Sequence, residues 1–180
     1  MNTMEYCNIP HNRERIFLIG FLDREKALKF KFPKKVKLEK RILDFLEYEI
    51  SEKYYYTEKS KIYEKLKEGI QKTIFENKIY QYRRYYVREN CSDVCPTLCQ
   101  NMGSGGHNVP IINDGKGIRK LTPRECFNLQ GFEKDYVFDD DISDSQLYKQ
   151  AGNTVSVKII KILADKIIDC FNKWFNQYKF

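Results

Sequence analysis

Apolar and polar positions follow three different patterns along this chain. Residues 16–22, IFLIGFL, form a short continuous apolar run, which predicts a buried strand. Between residues 36 and 79, apolar positions recur at helical spacing in LEKRILDFLEYEI and again in KIYEKLKEGI, so this region is predicted to be mostly helical. The final segment, SVKIIKILADKIIDCFNKWF, predicts an amphipathic docking helix whose apolar face consists of Val157, Ile160, Leu163, Ile167 and Phe171.

Turn and capping residues mark the boundaries of elements in the second half of the chain. The sequence NDG at residues 113–115 predicts a turn. In TPRE, Thr122 is placed as a helix N-cap and Glu125 as its capping-box partner, and Gly131 is placed to end that helix. SDSQLYKQ, residues 143–150, predicts a further short helix.

A tyrosine- and arginine-rich segment lies between these regions. YQYRRYYVREN, residues 80–90, contains four tyrosines and three arginines, a mixture that suits a strand whose exposed face touches a phosphate backbone. An edge strand whose arginine stems cover apolar surface fits the same residues.

A glycine-rich loop follows, with the sequence PTLCQNMGSGGHN over residues 96–108. Three glycines in four positions cannot form regular helix or a well-packed strand, but they allow the backbone to approach another molecule closely. The loop also carries hydrogen-bonding side chains, namely Gln100, Asn101, Ser104, His107 and Asn108. By itself this pattern fits a phosphate-binding loop and a tight hairpin equally well.

Composition narrows the classes of protein. Lys and Arg total 32 against 25 Asp and Glu, a net charge of +7, which suits a polyanionic partner or an ordinary solvated basic surface. No stretch approaches the ~20 apolar residues of a membrane span, and the N-terminus lacks the apolar core of a signal peptide, so a cytoplasmic protein without membrane contact is predicted. The six cysteines and two histidines lack zinc-site spacing. Reduced, structural thiols and no metal site are expected.

Four segments, taken in order, resemble the last conserved blocks of the DNA (cytosine-5)-methyltransferases. They are NTMEYCNIPHNRERIFLIGF, the loop VCPTLCQNMGSGGHNVPII, IRKLTPRECFNLQGF and QLYKQAGNTVSV. Two positions depart from the family pattern: His11 stands where glutamine is usual, and Cys7 where glycine is usual. Histidine can still donate and accept hydrogen bonds.

The resemblance implies an α/β fold in two parts. Residues 1–32 and 140–180 would supply pieces of a Rossmann-like catalytic domain, the latter with the C-terminal helix, and residues 33–139 a mixed, largely irregular target-recognition lobe. The family's cofactor-binding glycine loop, Pro-Cys nucleophile loop and Glu-Asn-Val block have no counterpart in the chain. Its core is therefore expected to be incomplete and to leave apolar surface for a partner.

The family reaction, as implied by the resemblance, adds a thiolate to a flipped cytosine and methylates it from S-adenosylmethionine. Arg15 is then expected to contact the flipped cytosine or its flanking phosphate, and Arg13 to brace the site; the two form the candidate catalytic pair. A surface salt bridge through the glutamate between them is the alternative. Asn153 and Thr154 match positions that lie against the cofactor, and Gly152 would permit a close backbone approach to it.

The same resemblance assigns the reading of DNA sequence to the loop and the strand before it. Arginine can grip guanine, while asparagine and glutamine can pair with adenine. The candidate readers are Arg88, Thr97, Gln100, Asn101, Ser104 and His107, with Gly103, Gly105 and Gly106 letting the loop enter the major groove. Arg83 and Arg84 are expected to face phosphate, and Arg119 and Arg124 to be structural or phosphate-facing, with Arg124 the anchor between the lobes.

The predicted function is the DNA-recognition part of a cytosine-5 methyltransferase of a restriction-modification system. It would bind double-stranded DNA and act with an N-terminal methyltransferase subunit that carries the nucleophile loop and binds most of the S-adenosylmethionine. A stand-alone or remnant DNA-binding module without catalysis is the alternative, and an expressed fragment of a longer enzyme is a third.

Overall fold

The computed structural model describes residues 1–90, 92–104 and 108–175. For residues 172–175 it describes the backbone alone. The six helices in these ranges are α1 (Thr3–Tyr6), α2 (Arg24–Lys29), α3 (Tyr63–Gly69), α4 (Pro123–Leu129), α5 (Asp144–Asn153) and α6 (Val157–Phe175). The strands are β1 (Tyr80–Arg83), β2 (Tyr86–Glu89), β3 (Ile111–Asn113) and β4 (Ile118–Lys120). Short 3₁₀ turns cover Ile42–Phe45, Glu52–Tyr54, Ile74–Glu76 and Gln100–Ser104.

The strands form one antiparallel sheet in the order β2-β1-β3-β4. The segment predicted as a single strand over residues 80–90 is instead the hairpin β1–β2, because Arg84 adopts a left-handed φ of 50° that reverses the chain. Gln81 lies directly opposite Arg88 in this hairpin. The NDG turn is confirmed between β3 and β4, where Gly115 has a φ of 88°.

Two apolar clusters hold the chain together. The smaller one packs α3 against the sheet through Ile62, Leu66, Ile70, Tyr80, Ile111 and Ile118. The larger one joins the N-terminal segment, the glycine-rich loop at residues 96–108 (called the recognition loop below), α4 and α5. It includes Ile9, Cys95, Leu98, Phe127, Leu129 and Ala151. The glycine-rich loop is therefore anchored at its beginning by the buried side chains of Leu98 and Met102.

Helix α4 begins and ends as its sequence predicts. The Thr122 hydroxyl accepts from the Glu125 backbone N–H (3.1 Å), and the Glu125 carboxylate accepts from the Thr122 backbone N–H (2.8 Å). At the other end, the N–H of Gly131 bonds the carbonyl of Asn128 (2.9 Å) and the N–H of Phe132 bonds that of Phe127 (3.2 Å), a Schellman arrangement. The predicted helix over residues 143–150 is confirmed as α5 and continues to Asn153.

The predicted helix over residues 38–50 is wrong. Only the 3₁₀ turn Ile42–Phe45 forms there. Backbone N–H groups in and just before this turn donate to side chains that are distant in the sequence. Asn8 Oδ1 accepts from the N–H groups of Glu39 (2.7 Å) and Lys40 (3.1 Å), and Asn77 Oδ1 accepts from that of Ile42 (3.2 Å). In an α-helix the Ile42 N–H would bond the carbonyl of Leu38, so its contact with Asn77 replaces a hydrogen bond of the predicted helix. Further along the region, α3 confirms the second helical pattern.

The apolar run at residues 16–22 is extended, but it pairs with no strand among the described residues, and the prediction that it is buried is wrong. Ile16, Leu18 and Leu22 are 88%, 94% and 110% exposed. The intervening Phe17, Ile19 and Phe21 are only partly covered. The run therefore presents apolar side chains on both of its faces.

Helix α6 confirms the predicted C-terminal helix but uses a different face. Ile159, Leu163 and Cys170 are buried, whereas Ile160 and Phe171 of the predicted stripe are each 41% exposed. The helix packs beside α2, where Lys26 Nζ lies 4.6 Å from the centre of the Phe171 ring. Among the described residues, α6 and the other helices all fall short of the length or apolarity needed to cross a bilayer.

Candidate nucleic-acid interface

The turn His11-Asn12-Arg13-Glu14-Arg15 is tied to the start of the recognition loop by backbone pairing. The N–H of Asn12 bonds the carbonyl of Cys95 (2.8 Å), and the N–H of Cys95 bonds the carbonyl of Pro10 (2.7 Å). On its other side, Asn2 and Glu14 form an antiparallel bridge. The basic turn and the segment that begins at Asn2 are thereby held in a fixed position relative to the loop.

His11 is fully buried and makes two hydrogen bonds with opposite roles. Its Nδ1 lies 3.1 Å from the carbonyl of Leu129, which can only accept, and its Nε2 lies 3.3 Å from the backbone N–H of Leu98, which can only donate. The ring is therefore neutral, with the proton on Nδ1. Burial, reinforced by the charge of Arg13, lowers the pKa of His11 to about 3.

This depressed pKa predicts a loss of stability in acid. Between pH 6.5 and about 3 the unfolded chain takes up a proton at His11 that the folded chain refuses. The free energy of unfolding should therefore decrease as the pH is lowered through this window. The contribution of His11 to this decrease is up to about 1.4 kcal/mol per pH unit. His11→Gln keeps one donor and one acceptor but cannot titrate, so its urea-unfolding stability should fall less steeply over the same pH range. Parallel pH curves for the two proteins would contradict the assignment.

Arg13 is buried and donates to three backbone carbonyls. Its Nη1 bonds Leu98 (2.9 Å), and its Nη2 bonds Gly152 (3.2 Å) and Thr154 (2.5 Å). Burial, followed by the charge of Arg15, lowers the pKa of Arg13 to about 10, so the group remains charged. Arg13 thus braces the basic turn against the loop and the end of α5, and this arrangement turns its guanidinium into the protein.

Arg15 points the other way, as alternation in an extended segment predicts. It is exposed, and its Nη1 bonds the carbonyl of Glu14 (2.6 Å). The alternative salt bridge to the Glu14 carboxylate is absent from the ion pairs of the described residues. Arg15 borders an open cavity of about 820 Å³ together with Met1, Glu14, Ile16, Phe17 and Phe32. Its contact with cytosine stays a prediction.

A separate polar cleft of about 300 Å³ lies between the β1–β2 hairpin and the recognition loop. Three of the predicted DNA-reading residues, Arg88, Thr97 and Asn101, line it together. The Thr97 hydroxyl donates to the carbonyl of Asn12 (2.6 Å), which joins this cleft to the basic turn. The remaining lining residues are Asn12, Gln81, Tyr82, Arg83, Asn90, Pro96, Cys99 and Asn108.

The other predicted reading residues fall into three groups. Gln100 and Ser104 are exposed on the 3₁₀ turn beside the cleft without lining it. Gly103 packs against α5, where a Cβ would lie 2.2 Å from the carbonyl oxygen of Ser145, so its smallness serves packing within the protein. Gly105, Gly106 and His107 lie outside the described residues.

Sequence reasoning missed Gln81 as part of this site. Gln81 Oε1 accepts from Nη2 of Arg83 and from Nη2 of Arg88, both at 2.8 Å. The signal was present in the alternation of side chains, since residues 81 and 83 share one face of a strand. Placing residue 88 on that face required the register of the hairpin.

Gly152 does not have the role expected from the sequence. A Cβ there would lie 2.2 Å from the carbonyl carbon of Cys99 and 2.3 Å from the backbone nitrogen of Gln100. The close approach is therefore made by the recognition loop, and Gly152 is fully covered. The side chain of Asn153 is exposed, and the Thr154 hydroxyl bonds the carbonyl of Val155 (3.3 Å).

Arg119, which was expected to be structural or phosphate-facing, is a buried anchor within β4. The Arg119 guanidinium forms two parallel hydrogen bonds of 2.8 Å to the Glu125 carboxylate, and its Nε bonds Asp114 (2.7 Å). Arg124 instead stacks over the ring of Phe138 at 3.9 Å.

The described cysteines carry free thiols. Burial raises the pKa of Cys7 to about 11 and raises the pKa of Cys95 and Cys126 as well. These three thiols are therefore protonated at neutral pH and unsuited to nucleophilic attack.

Comparison with known proteins agrees with this geometry. The chain matches the model of the C-5 cytosine-specific DNA methylase over residues 2–169. It is 46% identical over 172 residues to the Type II methyltransferase M.Bsp6I of Bacillus sp., which covers 93% of this chain and 53% of that protein. It is 35% identical over 176 residues to M.DsaV of Dactylococcopsis salina, covering 96% of this chain and 48% of that protein. The chain thus spans about half the length of the curated relatives it matches.

Solved structures give the same fold. The S. pombe Dnmt2 methyltransferase superposes with a TM-score of 0.60 at 17% identity, over 96% of this chain and 57% of that one. The Entamoeba histolytica methyltransferase EhMeth gives 0.55 at 18% identity, over 90% and 50%. This likeness confirms the predicted α/β class. Because the family match extends from the basic turn through the recognition loop to α6, the chain belongs to the C-5 cytosine-specific DNA methylase family.

Proposed function

We propose that this chain is the DNA-recognition part of a cytosine-5 DNA methyltransferase and that a partner chain completes it with the catalytic cysteine. The observation that carries the proposal is the polar cleft, where Arg88, Thr97 and Asn101 converge beside the basic turn. Residues 33–139, which contain the whole β1–β4 sheet, would form the recognition lobe. Residues 1–32 and 140–180 would belong to the catalytic domain, and the packing of α2 on α6 supports this grouping.

The apolar run at residues 16–22 supports a partner. Successive side chains of an extended segment point to opposite faces. Here both sets of side chains are apolar, one of them exposed and the other half-buried. Strands that are apolar on both faces are typical of the interior of parallel sheets whose two faces are covered by helices. A partner that supplies the flanking strands and helices would bury Ile16, Leu18 and Leu22.

S-adenosylmethionine is the cofactor that family membership implies. The end of α5 fits an edge of its site, since the exposed Asn153 amide and the partly exposed Thr154 hydroxyl can meet the cofactor's polar part. Gly152 is covered by the recognition loop, so it offers no surface to the cofactor. Most of the binding surface would therefore come from the partner. When bound, the cofactor supplies the methyl group.

The residues of this chain would act on the DNA. The cytosine must leave the duplex before a thiolate can reach its C6. Arg15, exposed on the basic turn, would stabilise negative charge on the flipped base or hold its flanking phosphate. Arg13 would keep the turn in register with the recognition loop through its three carbonyl contacts.

The purified chain should transfer no methyl group to DNA, because proline precedes none of its six cysteines. Co-expression with a partner chain that carries a Pro-Cys loop should yield 5-methylcytosine. The measurement is transfer of labelled methyl to duplex DNA. Robust transfer by the chain alone would overturn the partner requirement. Sequence-specific binding without transfer in any complex would favour a DNA-binding module.

In the reconstituted enzyme, Arg15→Ala should lower turnover by about 10- to 150-fold, as expected for a charge-assisted hydrogen bond of ~1.5–3 kcal/mol. The melting temperature should not change, because Arg15 is exposed. Arg24→Ala, an equally exposed arginine in α2, is the matched control and should retain full turnover. Unchanged kinetics for Arg15→Ala would contradict the proposed contact with DNA and leave Arg15 as an ordinary surface residue.

A further inference from the structure

The polar cleft contains an unbalanced pair of charges. Arg83 and Arg88 both line it, and none of the eleven described residues that line it is acidic. Neither arginine forms an ion pair with any carboxylate among the described residues. Instead, both guanidiniums donate to one neutral oxygen, Gln81 Oε1, at 2.8 Å. Two exposed like charges held side by side with no carboxylate paired to them favour an electron-rich ligand.

The hairpin explains how the group is assembled. Gln81 and Arg83 are two residues apart on β1 and so share a face. Arg88 lies directly opposite Gln81 on β2, which places its side chain beside that of Gln81 on the same face. The Gln81 carbonyl therefore restricts the rotamers of both arginines before a ligand arrives. Each guanidinium uses one N–H in this contact and keeps four donors for a ligand.

The hydrogen-bonding groups that Gln81, Arg83 and Arg88 leave free are donors, because both arginines donate to the single side-chain oxygen of Gln81. The amide N–H₂ of Gln81 makes no hydrogen bond among the described residues, and the oxygen of Asn12 is already taken by Asn2 Nδ2 (2.7 Å). In the major groove, guanine presents two acceptors, N7 and O6, whereas adenine and cytosine each present a donor. The free donors of Gln81, Arg83 and Arg88 therefore match guanine better than adenine or cytosine.

We propose that Gln81, Arg83 and Arg88 form a guanine-reading clamp, in which the arginines contact guanine bases of the target duplex and Gln81 is a positioning residue. The inference rests on the proposed function and revises the phosphate-facing role expected for Arg83. Phosphate is the other acceptor-rich group of the same DNA, and the experiment separates it from guanine.

The test begins with selection of preferred duplexes from a library with randomised central positions, using the full chain in complex with its partner. Anisotropy titrations then compare the selected duplex with copies in which single guanines are replaced by 7-deazaguanine, which lacks N7. Wild type should lose about 5- to 150-fold in affinity at one or two guanines. Arg83→Gln or Arg88→Gln should remove that sensitivity. Arg84→Gln, which loses the same charge at the exposed hairpin turn outside the cleft, should keep it.

Gln81→Met retains the volume of the side chain and removes its polar atoms. It should abolish most of the 7-deazaguanine effect. The melting temperature and the binding to random DNA should not change. A merely structural role of Gln81 would not produce this combination. Equal affinity for all 7-deazaguanine duplexes, with a salt dependence that weakens by about one ion per arginine removed, would assign the clamp to phosphate and overturn the proposal. No DNA binding in any complex would overturn the proposed function as well.

Discussion

Glu125→Ala should destabilise the chain by about 3–5 kcal/mol, because it would leave the buried Arg119 guanidinium without its main counter-charge. The Glu125 carboxylate is fully buried and accepts four hydrogen bonds. Two come from Arg119, one from the N–H of Thr122 (2.8 Å) and one from the N–H of Glu47 (3.1 Å). Its loss would also remove the capping box of α4. A domain of this size has only ~5–15 kcal/mol of stability, so the substitution should remove a large share of it.

Urea unfolding of wild type and variant measures this effect. Glu133→Ala, a glutamate on the exposed surface just after α4, is the matched control and should stay within ~0.5 kcal/mol of wild type. Adding Arg119→Met to Glu125→Ala should restore part of the loss, because the uncompensated charge is then removed. A loss below ~1 kcal/mol for Glu125→Ala would show that Asp114 alone compensates Arg119.

Gly152→Ala should cost at least ~1–3 kcal/mol and should also weaken DNA binding. The added Cβ would lie 2.2 Å from the Cys99 carbonyl carbon, and both contacting groups are backbone, so no flexible side chain can move aside. Relief would require α5 to separate from the recognition loop. That movement would lengthen the Arg13 contacts with Gly152 and Leu98 and shift the loop that walls the polar cleft.

Gly20→Ala provides the matched control, since a Cβ there would meet nothing within 4 Å. Gly103→Ala, at the other end of the same contact, should behave like Gly152→Ala because its Cβ would lie 2.2 Å from the Ser145 carbonyl oxygen. The measurements are thermal unfolding and DNA-binding anisotropy. Wild-type stability in Gly152→Ala would mean that α5 and the loop are not in close contact in solution.

The positions that line the polar cleft were only partly predictable. Arg88, Thr97 and Asn101 were chosen for the hydrogen-bonding edges of their side chains, and the structure brings all three together. Gln81 was not chosen, because its part depends on lying across the hairpin from Arg88. Gly103 and Gly152 were expected to approach a ligand, and they approach each other's segments instead. Glycine in a sequence marks a close contact without identifying what makes it.

What the sequence determined by itself were the features whose partners lie within a few residues. The capping box of Thr122 and Glu125, the left-handed Gly131 and the NDG turn form through local hydrogen bonds, so their spacing sufficed. The helical pattern at residues 38–50 failed, and the Ile42 N–H that a helix would bond internally donates instead to Asn77, 35 positions away. His11 and Arg13 likewise acquire their roles from backbone groups that are distant in the sequence. These contacts exist only once the chain has folded, so the tertiary structure alone decided them.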